Sequence, residues 1–412
     1  MGRWSSFWRA LKRAPSSGST LERKHSAVGG LTTAGGGLVT WLGTSGPSWT
    51  PRTYGDLAAE GYRKNVIAFR CVRMVSEGAA SVPWTLFENH QAVTAHPLLA
   101  LLDRPNPLQG GNELFEALFG YLLIAGNGYL EAVTDSRQGP RELYALRPDR
   151  MTVVPGPQGW PVAYLYSVAG RMHRYAVDIA RGETPILQLK SFNPLDDFYG
   201  LSPIEAAAFG IDIHNAAGAW NKALLDNAAR PSGALVFDPG DGSGNLTPSQ
   251  FDRLKTEMAE QYQGAANAGR PLLLEGGLKW QAMSFSPADM DFIESKHVSA
   301  REIALAFGVP PMLLGIPGDN TFANYQEANR ALWRQTILPL LDKTADALNG
   351  WLTPKFGDGL RLAYDLDAIP ALSAEREALW SRIEAASFLT LNEKRRTAGL
   401  GPVEGGDSVS PS

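Results

Sequence analysis

Apolar residues between 287 and 356 recur every three or four positions in two long runs separated by a double stop. That spacing belongs to amphipathic helices. The first run carries Ile293, Ala300, Ile303, Ala304 and Phe307 on one face, with Asp291, Glu294, Lys296 and Arg301 mostly elsewhere. Ser286-Pro287-Ala288-Asp289 predicts its start. A serine oxygen can accept orphan N–H groups, proline suits the first helical position, and an acid favours the positive helix end. Gly308 and Val309-Pro310-Pro311 end the helix, because proline lacks a donor and drives its predecessor out of the α region. Gly315-Ile316-Pro317-Gly318-Asp319-Asn320-Thr321 makes the second stop. The next helix is predicted from near Asn324, with Glu327 as capping-box partner, and takes Ala328, Leu332, Thr336, Leu340 and Leu348 toward Trp351. Pro339 removes the hydrogen bond to the Gln335 carbonyl and predicts a kink.

Upstream, the ordered body is predicted from near Tyr54, with one helix over Asp56–Ala80, a strand over Trp84–Glu88 and a short helix over His96–Leu102. Asn112 is expected to cap a helix over Glu113–Ala125, which Gly126-Asn127-Gly128 turns into the strand Tyr129–Thr134. Strands follow near Glu142–Leu146, Met151–Val154, Val162–Val168, Met172–Tyr175 and Ile186–Lys190. Ser202-Pro203-Ile204-Glu205 opens a helix to about Ala229 that is rich in small residues, including Gly210, Ala217 and Gly218. Interior glycines cost a helix roughly 1 kcal/mol each relative to alanine, a cost that close approach of a second helix offsets. Residues 230–286 read as strand Gly233–Phe237, a helix from Pro248 to Gln263 capped by Thr247, then strands near Leu272–Leu274 and Leu278–Met283. A strand over Leu360–Asp365, a helix capped by Ser373 and a short helix over Thr390–Ala398 precede a Gly/Ser/Pro-rich tail from Gly401, predicted to be disordered. The class is α+β.

The bulk numbers narrow the picture. The lone cysteine, Cys71, lies in an apolar helical run and excludes an internal disulfide framework. No apolar stretch approaches the ~20 residues of a membrane span. Net charge is −4, yet residues 1–24 hold six basic side chains against Glu22, so the remainder carries nine more acids than bases. Trp4, Phe7, Trp8 and Leu11 lie at helical spacing beside those bases, an anchor to a partner surface or membrane, or a frayed arm. Residues 25–50 contain no charged side chain apart from His25 and read as a linker.

Ala304-Leu305-Ala306-Phe307-Gly308-Val309-Pro310-Pro311-Met312-Leu313-Leu314-Gly315, followed by Thr321-Phe322-Ala323-Asn324-Tyr325, resembles the portal proteins of tailed bacteriophages of the HK97 type. Further segments agree in order and spacing. They are His96-Pro97-Leu98 with Arg104-Pro105-Asn106-Pro107, Gly126-Asn127-Gly128-Tyr129-Leu130, Gly200-Leu201-Ser202-Pro203-Ile204-Glu205, and Ala229-Arg230-Pro231-Ser232-Gly233. Together they span roughly residues 55–400, in a pattern that phages share with phage-derived gene transfer agents.

What the resemblance implies is a portal fold in several parts. Residues 1–53 form a basic arm and linker, 54–200 an α/β wing, 201–229 a first stem helix, 230–286 a small α/β clip and 287–308 a second stem helix. Residues 309–323 form the tunnel loop, 324–370 the long kinked helix with a strand returning to the wing, 371–400 a helical crown and 401–412 a tail. It implies a dodecameric homo-oligomeric ring at one capsid vertex, assembled in the host cytoplasm, through which double-stranded DNA passes without sequence specificity. The expected partners are the large terminase, a head–tail adaptor and the major capsid protein, with no membrane and no cofactor. The constriction falls on Gly315, Pro317, Gly318, Asp319, Asn320, Thr321 and Asn324, which hold hinges and short polar groups but no Lys or Arg. Arg253, Lys255, Glu257 and Glu260 are the expected docking face of the clip, and Gly210, Ala217 and Gly218 the ring packing of the stem. An acidic body repeated around a ring keeps phosphates from sticking to the wall.

Catalytic patterns are missing from the sequence: there is no GxxxxGK[ST], GxSxG, HExxH or paired-cysteine spacing. His214 and His297 read as polar ring-interface or solvated groups. Two rival classes remain, a metal-dependent nuclease or hydrolase using Asp196 and Asp197, and a membrane-associated ring adaptor held by the N-terminal helix.

Overall fold

The computed structural model describes residues 53–408, apart from 90, 136–138, 158, 227–232, 238–246, 248, 254–255, 257–277, 283–287 and 318–321. The expected helix over 56–80 is two pieces. A wide π-helical segment over Leu57–Arg63 ends at Lys64, and α1 starts afresh at Val66–Ala80. Asn65 causes the break: its side-chain oxygen accepts the N–H groups of Ile67 and Ala68, both at 3.0 Å, and extended backbone at the cap turns the chain. One stripe of α1 (Ala68, Cys71, Val72, Val75 and Ala79) is buried. Burial pushes the Cys71 thiol up to about 12, so it behaves as a small core side chain.

Strands β1 (Trp84–Glu88) and β2 (Gln91–Val93) make a hairpin before α2 (Pro97–Asp103), whose N–H at Leu98 bonds the Nδ1 of His96. Helix α3 (Gly111–Ala125) starts one residue before Asn112, with Gly110 at the cap and no side-chain capping bond there. It lays Leu114, Leu118 and Leu122 against α1. Strands β3 (Asn127–Asp135), β4 (Gly139–Leu146), β5 (Met151–Pro155), β6 (Pro161–Val168), β7 (Arg171–Ala176) and β8 (Ile186–Lys190) form two three-stranded antiparallel sheets, ordered β4-β3-β8 and β5-β6-β7. Tyr129 and Tyr164, from different sheets, meet edge to face across a second apolar cluster.

A short turn of helix over Pro203–Ala206 leads into α4 (Ala208–Asp226). Strands β9 (Gly233–Phe237) and β10 (Leu278–Ala282) pair antiparallel, and α5 (Ala288–Ala306) packs along α4. Thr247 and Gln250 exchange the hydrogen bonds of a capping box, while the strand expected near Leu272–Leu274 and the Ser286-Pro287 start lie outside the described residues. Helices α6 (Phe322–Leu332) and α7 (Leu338–Trp351) are joined by a π-helical turn at Trp333–Ile337. Pro339 thus sits in the first turn of α7, where its missing N–H costs little, and the expected kink takes the form of a widened turn. Strand β11 (Leu360–Tyr364) returns to pair with β1, giving the order β11-β1-β2. Helices α8 (Ser373–Ala385) and α9 (Leu391–Ala398) follow. Ser373 does not cap α8, because its hydroxyl donates back to the Pro370 carbonyl; Thr390 and Glu393 form a capping box at the start of α9.

Two glycine motifs distant in sequence interlock. Gly126 takes a left-handed φ of 71°, and a Cβ there would lie 2.3 Å from the Gly200 carbonyl oxygen. Beside it the buried Asn127 accepts the Gly200 N–H at 3.0 Å, and Ser202 donates to the last carbonyls of α3 at Leu123 and Ile124. Gly126→Ala combines a disfavoured φ with a backbone collision, so it is expected to cost about 3 kcal/mol or more, measured as a fall in denaturation midpoint.

Candidate functional site

The loop expected to face a channel is built by two successive left-handed glycines. At the end of α5, Gly308 has φ 64°. The Val309 N–H reaches the Ala304 carbonyl at 2.9 Å and the Gly308 N–H reaches Leu305 at 3.0 Å, the two bonds of a Schellman motif. Pro310 and Pro311 then force a tight turn over Pro311–Leu314, and Gly315 at φ 71° closes it. Val309 and Ile316 are buried, so the loop root is pinned by apolar burial at both ends.

Side chains from neighbouring helices complete the clamp. Thr336, in the π-helical turn, donates its hydroxyl to the Gly308 carbonyl at 2.7 Å, and a Cβ on Gly308 would lie 2.5 Å from that same oxygen. Arg301 on α5 donates to the Pro317 carbonyl at 2.7 Å. The π-helical turn also drives Ile337 into α1 at Gly78, where an added Cβ would approach it to 2.9 Å. The last residue described before the gap is therefore tethered to a rigid frame. Gly318, Asp319, Asn320 and Thr321 lie outside the described residues, and Asn324 is exposed in the first turn of α6.

The small residues of α4 divide between two sides. Gly210 faces α5 of the same chain, its Cβ position 3.4–3.6 Å from Glu302, Ser299 and Ile303, and Ala217 is buried. Gly218 has nothing within 4 Å of where a Cβ would stand. On the exposed side, Phe209 and Ile213 are 55% and 38% accessible. Arg253 is exposed, whereas Lys255, Glu257 and Glu260 lie outside the described residues.

His214 corrects the expectation of a solvated or ring-facing group, since it is buried within its own subunit. Its Nδ1 lies 3.2 Å from the Asn65 amide, which also donates to Asn215 at 3.1 Å; Asn215 in turn donates to the Glu60 carbonyl at 2.9 Å. The network ties α4 to the break before α1. Burial, then the Lys296 charge, lowers the His214 pKa. In the Asp196–Asp197 loop, Asp196 accepts the N–H groups of Phe198 and Tyr199, so its carboxylate closes its own turn. Among the described residues no three His, Cys, Asp or Glu side chains converge as metal ligands, and no helix is long and apolar enough to cross a membrane.

A family profile described as "Phage portal protein" matches residues 67–399, and the chain belongs to that family, in its HK97 type. It is 28% identical over 350 residues to the portal protein of Enterobacteria phage HK97, covering 82% of this chain and 79% of the relative. It is also similar, at 55% identity and a TM-score of 0.69, to a chain from the neck of an empty gene transfer agent (GTA) particle solved with C6 symmetry, covering 87% of this chain and 96% of that one. A chain from the neck of the native GTA particle with C12 symmetry matches at 55% identity and a TM-score of 0.66, over the same shares of each chain.

Gly308→Val is expected to cost at least about 2 kcal/mol through its φ and its collision with Thr336, read as a lowered melting temperature. His214 gives a signed pH effect. Its pKa is lowered in the fold, so below the ordinary 6.5 the unfolded chain takes up the proton first and stability falls with pH. The His214→Gln variant should show a flatter melting temperature below that pH than the parent.

Proposed function

We propose that copies of this chain close into a ring at one vertex of a phage or gene-transfer-agent capsid, and that double-stranded DNA passes through its bore. The observation that carries this is the 55% identity, over 96% of the matched chain, to a component of a particle neck solved with C12 symmetry. The residues make physical sense of it. Phe209 and Ile213 are exposed on one flank of α4, and Gly218, on another flank, has open space where a Cβ would stand. In a ring each subunit has a neighbour on either side, so the two flanks meet different copies.

In this reading, residues 54–200 are the wing, α4 and α5 the stem, the segment around β9 and β10 the clip, and α8 with α9 the crown. The tethered root at Gly308–Pro317 gives the constriction a fixed anchor. DNA in such a channel has to slide, so phosphate attraction at the narrowest point is a defect. Asp319, Asn320 and Thr321 suit that role by offering short polar groups and no cation. Arg253 and its neighbours on the clip are the docking face for a packaging motor and later for a head–tail adaptor.

Electron microscopy of the purified protein tests the ring: a holed particle with the mass of twelve 44.5 kDa subunits is expected, and a strict monomer under all assembly conditions sinks the reading. In a packaging assay, Asp319→Lys with Asn320→Lys should slow or stall DNA entry several-fold while leaving the ring intact. Unchanged packaging rate and DNA length would remove this loop from the constriction.

A further inference from the structure

Between the β1–β11 sheet and α9 lies a cavity of about 360 Å³ lined by Phe87, Arg361, Asn392, Arg396, Leu400 and Pro402, among others. Phe87 and Arg361 are direct cross-strand partners, and the guanidinium sits 5.0 Å from the centre of the Phe87 ring. Stacking of this kind fixes a guanidinium while leaving its N–H edge free. Arg396 projects from the last turn of α9 and is exposed.

These two arginines differ from the bases around them. Arg376 pairs with Asp367, Arg334 with Glu375, Arg395 donates to the Gly401 carbonyl and Lys394 to the Glu384 carbonyl. Among the described residues, neither Arg361 nor Arg396 has a carboxylate within ion-pairing distance, and no acid lines the cavity. Asp346 lies across the adjoining hollow that Arg361 also borders, beyond pairing range. At the C-terminal end of α9 the Arg395, Arg396 and Ala398 carbonyls are hydrogen-bonded, to the Leu400 N–H at 2.7 Å, the Gly399 N–H at 3.1 Å and the Arg376 guanidinium at 3.3 Å.

The far wall is rigid. Asn392, buried, donates to the Val403 carbonyl at 3.0 Å and to Asp407 at 2.8 Å, accepts the Val403 N–H at 2.8 Å, and its own N–H bonds Gly406 at 2.8 Å. The cavity is thus preformed, with two uncommitted guanidiniums in a chain whose remainder is acidic. We propose that it is a binding site for a phosphate group, held jointly by Arg361 and Arg396. A tetrahedral phosphate accepts from two arginine forks at once, and the volume exceeds what a carboxylate side chain fills. The group can come from the backbone of a DNA duplex, which rests on the portal reading, or from free phosphate, which does not.

The test uses the full chain, with inorganic phosphate by calorimetry and a fluorescein-labelled duplex of about 20 base pairs by anisotropy across a salt series. Arg361→Gln with Arg396→Gln is compared with Arg171→Gln, an exposed arginine elsewhere. The double variant should weaken phosphate binding at least tenfold, the control less than twofold. If DNA is the source, duplex affinity falls alongside and its log–log salt slope becomes shallower by about 1–2. Phosphate binding without duplex binding supports the site with free phosphate as its ligand, whatever the state of the ring. In the parent protein, phosphate should also protect Arg361 and Arg396 from phenylglyoxal, a readout that needs no substitution. Absence of phosphate binding by the parent, or binding and protection indifferent to these arginines, overturns the proposal. So does loss of the ring in the double variant with phosphate affinity unchanged, which would assign the pair to a carboxylate of a second copy.

Discussion

The fold depends on a backbone-to-backbone contact between two turns more than seventy residues apart. Gly126 and Gly200 approach so closely that neither position has room for a side chain, and Asn127 and Ser202 spend their polar groups sealing the junction. Buried backbone groups at the end of α3 would otherwise go unpaired, at a cost of roughly 1–3 kcal/mol each. The contact also sets direction: it fixes where the chain leaves the sheets and enters α4. The segments that announce the family, here and at Asn106, whose amide bonds the Leu143 carbonyl, are structural locks rather than chemical sites.

A second constraint governs the loop after α5. Two left-handed glycines and two consecutive prolines leave the backbone few options, and Thr336 and Arg301 tie both ends of the turn to helices. Rigidity at the root and short polar residues beyond it are compatible demands. In the channel proposed above, a constriction would have to hold its diameter while presenting nothing that a phosphate backbone would bind.

Much of this was legible in the residue pattern. Trp84–Glu88 and Gly233–Phe237 are strands over the very residues that alternation and turn signals mark, and the short helix expected over Thr390–Ala398 is α9. The cap positions are where the reading departs from the structure. Asn65 stopped a helix that apolar periodicity alone continues, while Gly110 and Leu372 took the cap positions expected of Asn112 and Ser373. His214 was misjudged because a single histidine on a small-residue helix carries no mark of the Asn65 and Asn215 amides that receive it. Nor does any local signal disclose that Thr336 reaches Gly308 across twenty-eight residues, since that pairing exists only once the helices are packed.

The π-helical turn at Trp333–Ile337 is in effect one surplus residue stored inside an otherwise regular rod. An α-helix advances about 100° per residue, so that surplus sets the rotational phase of everything after it. Leu341 and Leu348 reach the core, and Trp351 its Thr184 partner, only because the extra step is present. Without the surplus, the apolar face of α7 would be rotated by about 100° from its present contacts, and Pro339 would fall inside a regular helix. A single residue added to or removed from this stretch would therefore rotate every later position of α7 by about 100°, the same step that separates a core-facing position from a solvent-facing one.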